Sequence, residues 1–509
     1  MTYKEPDRVG NPDAVLFYGL ATLLIFAPLF WAGYPPLPLL GLELLALALL
    51  AWRFWSPPTA GLPLSRMAWG FLALLFLLPL TQLLPIPMTF WASLPGRAFY
   101  AEALHQASVV GFGFEWRAIS LIPAATETAW LALLPPLAVF LAAVNLDSQR
   151  LFKLTLVFLG IAVVEALLGL IQYGDGPNSL FRLGNTLMGE SASGTYINRN
   201  HLAGLLEMAL PVSLALLAVT VGQGRPQHSS SSRRRRTFRQ WLVRFSAARL
   251  NQAALYGAVA LAILLGLIFT RSRTGVGLAM LGILLATLTF STRLGGRNVY
   301  GLIGTFTAIG ISLASLIGLA PLWSRFTLQD PMEDGRWLIF DATVQAVGNF
   351  FPLGSGAGTF EDVLQRFHPA DFPGVTINRA HNDYLEWLLE FGLIAALLIA
   401  LWLAFYVRQW ARVWKRGEWS SFRFAQAGAG IALLLMMLHS LVDFNLRTPA
   451  NAVFTAFLAA LFFHRSPEEE RQSSRHQRKA ASGDGGSDNR SSSPPVYTIP
   501  PENQANPFA

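Results

Sequence analysis

The apolar stretch LGLIFTRSRTGVGLAMLG, residues 265–282, carries Arg271 and Arg273 where a chain crossing a bilayer should carry no charge. A guanidinium offers five donors in a planar fork and pairs best with carboxylate or phosphate, so these arginines mark an anion, of the protein or of a ligand. Two carboxylates reach comparable depth: Glu165, and Glu207 within TYINRNHLAGLLEMALP (195–211). An ionisable group near the bilayer centre costs on the order of 2.5–3.5 kcal/mol on insertion scales and therefore takes a partner. Glu165 and Glu207 are expected as salt partners of Arg271 or Arg273. Asn198, Arg199, Asn200 and His201 open the Glu207 segment, either as helix caps beside a snorkelling arginine or as part of the polar chemistry.

The segment NRAHNDYLEWLLEFG (378–392) sets His381 beside Arg379 at the mouth of a helix that Asn382 or Asp383 can cap, with Glu386 in its first turn. His381 is either a cap or surface residue, or a general base for a hydroxyl. In HSLVDFNLRTPAN (439–451), His439 and Asp443 are one helical turn apart, a pair expected to be structural or to support its neighbours. The segment GRWLIFDATVQAVGNFFPLGSGAGTF (335–360) has helical periodicity from Arg336 to Val347, ended by Pro352. Gly354, Gly356 and Gly358 permit a tight turn that could aim backbone N–H groups at phosphate, although the Lys-Ser/Thr of a P-loop is absent. Asp330, Glu333 and Asp334 could bind a divalent ion; a solvated loop face is the expectation.

The elements that must position these groups are membrane helices. The chain of 509 residues is 53% hydrophobic and 13% charged, far from a soluble domain. A span needs roughly 20 apolar residues, and about twelve such segments recur: 14–32, 36–55, 66–84, 123–144, 152–173, 200–221, 252–270, 274–291, 299–320, 383–407, 422–444 and 449–464. The fold expected is an all-α polytopic membrane protein. Arg53, Arg150, the run Arg233 to Arg236, Arg293, Arg297, Arg408, Arg412, Lys415 and Arg416 fall in alternate connections, which the positive-inside tendency assigns to the cytoplasm together with both termini. The SSSSRRRR run reads as a topology anchor near anionic membrane lipid rather than a nucleic-acid site. The start, MTYKEPDRVGNPD, is expected to lead into a retained first helix. The longer connections, 85–122, 174–199 and 321–382, then lie outside, where Arg199, Arg271, Arg273, Arg336, Arg379 and Arg447 each need a local reason. With no cysteine, disulfides, Cys-ligated zinc and a thiol nucleophile are excluded. Three regions are expected: helices one to five in 1–190, a core in 191–465, and a disordered cytoplasmic tail in 466–509.

In their order, NRNHLAG, SRTG (272–275), GRW…FPLGSGAGTF, AHNDYLEWLLEFG and HSLVDFNLRTPAN resemble the O-antigen ligase and polymerase family of bacterial membrane glycosyltransferases, over roughly 190–465. The resemblance implies a GT-C-like enzyme of the inner membrane, inverting and independent of metal or other cofactor, with a large periplasmic loop containing short helices and its active site facing the periplasm. It implies a glycan donor on undecaprenyl diphosphate and an acceptor hydroxyl on lipid A-core or another glycan chain. His381 corresponds to the base. Arg271, Arg273 and Arg336 would contact the diphosphate, with Arg199 and Arg379 as additions, and Glu165, Glu207, Asn382, His439 and Asp443 would support them. Intramembrane Glu and Arg also suit a transporter or flippase of lipid-linked oligosaccharide, but the unusual residues gather at one face and no inverted repeat is evident. Reporter fusions at Ser231 and Ala480 are expected to read cytoplasmic and one at Asp371 periplasmic; a periplasmic signal at Ser231 would turn the arginines inward and overturn this assignment.

Overall fold

The computed structural model describes residues 12–56, 64–109, 115–185, 189–222, 247–294, 335–414 and 419–464. The ninth expected span, the arginine run 233–236, Arg297, Asp330, Glu333, Asp334, Lys415, Arg416 and the tail after Ser466 lie outside these residues. Lipid offers the backbone no hydrogen-bond partner, so each spanning segment must close its own bonds, and helices dominate. Among the described residues, eight helices are long and apolar enough to cross a membrane. Shorter apolar helices, Asp13–Phe26, Arg66–Gln82 and Pro449–Phe463, accompany them. The chain is an all-α, multi-pass membrane protein.

One helix, Arg199–Gly222, is buried from His201 to Val219 and is the axis of the bundle. It is apolar all round, as a helix surrounded by others must be. Ser148–Asp175, Ala247–Phe269, Arg273–Leu294, Ser421–His439 and Pro449–Phe463 pack around it. Lipid tails are as apolar as leucine, so small residues that admit a close approach set these contacts. A Cβ on Gly275 would stand 2.6 Å from the Ala203 Cβ, and one on Gly428 would stand 2.9 Å from the Pro211 carbonyl oxygen.

Several expected spans are interrupted or end early in the structure, among them 14–32, divided into Pro12–Phe26 and Leu29–Ala32. The span expected at 383–407 is two helices, Asp383–Phe391 and Leu393–Val413. They break at Gly392, which has φ +58° and whose backbone meets Pro352, so that the Leu393 N–H donates to the Pro352 carbonyl at 2.9 Å. The span expected at 123–144 is divided into Pro123–Leu131 and Leu134–Ala143, a break beside the Pro135–Pro136 pair. The one expected at 422–444 stops at His439, and Asp443 lies in the turn beyond.

The ends of the bundle differ. At one, Arg150 pairs with Asp13 at 2.8 Å, Arg53 donates to Asn145 Oδ1 at 3.1 Å, and Arg293 lies 4.6 and 4.8 Å from the ring centroids of Trp414 and Trp419. The other carries a compact cap with its own core of Trp91, Leu121, Ile339, Phe350, Phe360 and Leu389. A two-stranded antiparallel ribbon, Pro85–Pro87 with Trp116–Ala118, borders this cap. The helix Arg336–Phe350 belongs to it and extends the expected Arg336–Val347 periodicity by one turn.

Glycine at the helix contacts generates a stability prediction. Gly275→Val and Gly428→Leu are each expected to destabilise the protein by about 1–3 kcal/mol through overpacking. Gly257→Ala, with no atom within 4 Å of the added carbon, is expected to be neutral or mildly stabilising. Thermal unfolding in detergent checks the contrast, and equal melting of all three variants would remove close packing as its cause.

Candidate functional site

The capped end gathers the polar residues. Asn382 is the N-cap of Asp383–Phe391, its side-chain oxygen accepting the N–H groups of Tyr384 and Leu385 at 3.0 Å each. Its amide donates to the Leu441 carbonyl at 2.8 Å, and the Asp383 N–H donates to the Ser440 carbonyl at 2.9 Å. These bonds tie the helix start to the turn after Ser421–His439. His381 precedes the cap with φ +50°, a left-handed conformation that a side chain with a Cβ seldom adopts. Its ring is one-fifth exposed and rests edge-on to Phe444, with Nδ1 3.4 Å from Asp443 Oδ1. A carboxylate only accepts, so a proton on Nδ1 would face Asp443 and Nε2, across the ring, would be the nitrogen left to accept.

Asp443 is buried, at 1% exposure. Its second oxygen accepts from Asn200 Nδ2 at 2.8 Å and lies 3.7 Å from Arg336 Nη2, while Arg336 Nη1 donates to the Val442 carbonyl at 3.0 Å. Burial alone would raise the Asp443 carboxyl. The His381 contact and the neighbouring His201 and Arg336 together hold it well below the ordinary carboxylate range. It remains an anion, able to orient an imidazole.

The arginine pair joins the same end through the first turn of the central helix. Arg199 begins that helix, Asn200 reaches Asp443, and Ala203 receives Gly275 two residues after Arg273. Arg271 stands in the turn before Arg273, left-handed at φ +56°. Its guanidinium donates to both the carbonyl and a carboxylate oxygen of Glu190 at 3.1 Å, and the Glu190 side chain is 82% exposed.

The salt partners expected for Glu165 and Glu207 are corrected by this arrangement. Glu165 accepts from Thr195, from its N–H and its hydroxyl, both at 2.8 Å. Glu207 meets His439 Nδ1 with both oxygens at 3.0 Å, each side chain fully buried. Each carboxylate thus finds a neutral donor or an imidazole within its own layer of the bundle. His439 and Asp443 separate in the same way, one facing Glu207 and the other His381, because the helix ends between them.

Residues 258–400 match the family model described as O-antigen ligase. Over this segment the chain is similar to the O-antigen ligase family. A search of curated proteins finds no match. The matched segment of the ligase family encloses Arg271, Arg273, Arg336, Arg379, His381 and Asn382, whereas Glu165, Arg199, Glu207, His439 and Asp443 lie outside it. The match supports, in general terms, glycosyl transfer of the O-antigen ligase type.

Within this site the Gly-rich turn is a clamp, not a phosphate cradle. Gly354 N–H donates to Phe350, Ser355 to Leu389 and Gly356 to Glu390, at 2.8–3.1 Å, and Ala357 N–H donates to the Gln82 side chain at 2.9 Å. Arg97, fully buried, binds the carbonyls of Pro95, Gly354 and Ile119 at 2.9–3.0 Å. On the connection before the central helix, Arg182 binds the carbonyls of Gly176, Ser191 and Gln172 at 3.0–3.1 Å. Sequence reading passed over Arg97, Arg182 and Gln82; the signal for the first two was an arginine on the side where positive charge is disfavoured. It also passed over Glu390, one helical turn from Glu386. Arg379 pairs with Glu386 at 2.9 Å, and Arg447 reaches Glu386 at 3.1 Å and Glu390 at 2.5 Å. Burial pushes the nearby Asp383 carboxyl up to about 7. Among the described residues, no three His, Asp or Glu side chains converge to hold a metal ion.

The Glu207–His439 pair is a stability test. Glu207→Ala is expected to cost about 3–5 kcal/mol if it strands a buried charge. The paired change Glu207→Leu with His439→Phe is expected to recover most of the melting temperature, since an apolar replacement strands nothing. A double variant melting below Glu207→Ala would mean the pair does more than satisfy itself.

Proposed function

We propose that this protein transfers a glycan from undecaprenyl diphosphate to an acceptor hydroxyl at the periplasmic face of the bacterial inner membrane, with inversion and without metal. The observation that carries the reading is the first turn of the central helix, which touches the His381–Asp443 pair on one side and the Arg273 helix on the other. A base and a set of guanidinium groups at one end of a membrane bundle suit a reaction between a lipid-linked anion and a hydroxyl.

In this mechanism Asp443 keeps the Nδ1 proton on His381, and Nε2 takes the proton of the acceptor hydroxyl. The acceptor oxygen bonds to the anomeric carbon as the bond from that carbon to the diphosphate oxygen breaks, and the electron pair leaves with undecaprenyl diphosphate. Displacement from the opposite face inverts the anomeric centre. Negative charge builds on the leaving group, where Arg271, Arg273 and Arg336 provide planar donors, assisted by Arg199 and Arg379. Glu190 is the exchangeable partner of Arg271: an exposed carboxylate yields its place to a diphosphate at little cost. The acceptor is lipid A-core for a ligase or another glycan chain for a polymerase, and the same residues serve both.

Transfer by purified variants, with EDTA present, tests the assignment. His381→Ala is expected to abolish transfer while leaving folding and donor binding nearly unchanged. Arg273→Ala is expected to weaken donor binding and to raise the barrier by about 2.7–4 kcal/mol, with Arg273→Lys restoring only part because an ammonium lacks the fork. Wild-type turnover is expected to survive the chelator. Undiminished turnover by His381→Ala would remove it as the base.

A further inference from the structure

We propose that Glu386 is a positioning residue, whose carboxylate holds the Arg379–Ala380 segment and thereby keeps His381 in the left-handed conformation that turns Nδ1 toward Asp443. The inference rests on the reading of His381 as the base. Glu386 is fully buried on the first turn of Asp383–Phe391. One oxygen accepts the Ala380 N–H at 3.1 Å; the other pairs with Arg379 Nη1 at 2.9 Å and Arg447 Nε at 3.1 Å. The two residues immediately before His381 are therefore bound, by main chain and side chain, to one carboxylate. That carboxylate is itself held by Arg447, whose other arm reaches Glu390.

A backbone at φ +50° on a histidine persists only when its surroundings over-determine it. On one side of His381, Asn382 and Asp383 are tied to the Leu441 and Ser440 carbonyls. On the other side, the ties are those to Glu386. Releasing one side lets the ring relax away from Asp443, and a misplacement near 1 Å costs on the order of 100-fold in rate. Glu390 supplies the contrast. It shares Arg447 with Glu386, yet its carboxylate contact is with Arg447 and not with the His381 segment.

The test uses the full chain in lipid nanodiscs, with undecaprenyl diphosphate as the binding probe and lipid-linked glycan extracted from the source cells for turnover. Glu386→Gln removes the charge. Glu386→Asp keeps the charge between the two arginines, so folding is retained, but draws the carboxylate back from Ala380. Both are expected to lower kcat roughly 10- to 100-fold, and Glu386→Asp, which keeps the charge beside Arg379, is expected to leave KM for the donor and probe affinity within about two-fold. Glu390→Gln is expected to lower the melting temperature while leaving kcat within about two-fold. A parallel fall in probe affinity in Glu386→Asp, a kcat loss that only tracks the folded fraction, or an equal kcat loss in Glu390→Gln overturns the positioning role. His381→Ala is measured alongside: if it keeps wild-type turnover, the base reading fails and this role with it. If His381→Ala is inactive and Glu386→Asp is fully active, the positioning role alone fails.

Discussion

Asp443 is the buried anion on which the polar end of this bundle depends. Its partners come from separate parts of the chain: Asn200 from the central helix, Arg336 from the cap helix, and His381 from the segment before Asp383–Phe391. An exposed carboxylate contributes little to such a junction, because water competes for every contact. A buried one is different, since removing a partner strands charge at a cost of several kcal/mol. The junction therefore holds the cap, the central helix and the turn after Ser421–His439 in one register, and it fixes the face that His381 presents.

A second layer stabilises the first. Arg447, from the turn after Asp443, reaches both Glu386 and Glu390 on the short helix that His381 precedes. The same helix is gripped from its far end, where the Leu389 and Glu390 carbonyls accept N–H groups of the Gly-rich turn. That turn is anchored by Gln82, at the end of Arg66–Gln82, and by Arg97. The glycines serve a close approach of the turn to its neighbours, and the N–H groups of Gly354 and Gly356 are consumed inside the protein. This end of the bundle is held by hydrogen bonds, whereas the long apolar helices meet through small residues. The exposed Glu190 contact on Arg271 stands apart from both, a charge pair at the surface that solvent already weakens.

The sequence by itself determined the helical, polytopic class, because lipid leaves a chain of this hydrophobicity few alternatives. It also marked the end of the bundle where the unusual arginines and His381 gather, and the cap at Asn382, since each is a local signal of residue type against position. Partner choice was not legible. Glu165 goes to Thr195 and Glu207 to His439, and neither pairing follows from depth along a span, because depth does not say which way a helix is rotated. The division of residues 383–407 at Gly392 depended on where Pro352 lies, and the fate of the Gly-rich turn depended on Gln82 and Arg97, far away in the chain. Charge placement along one dimension is written in residue types. Which charges meet is decided by helix rotation and by the closing of distant loops, and those belong to the tertiary structure.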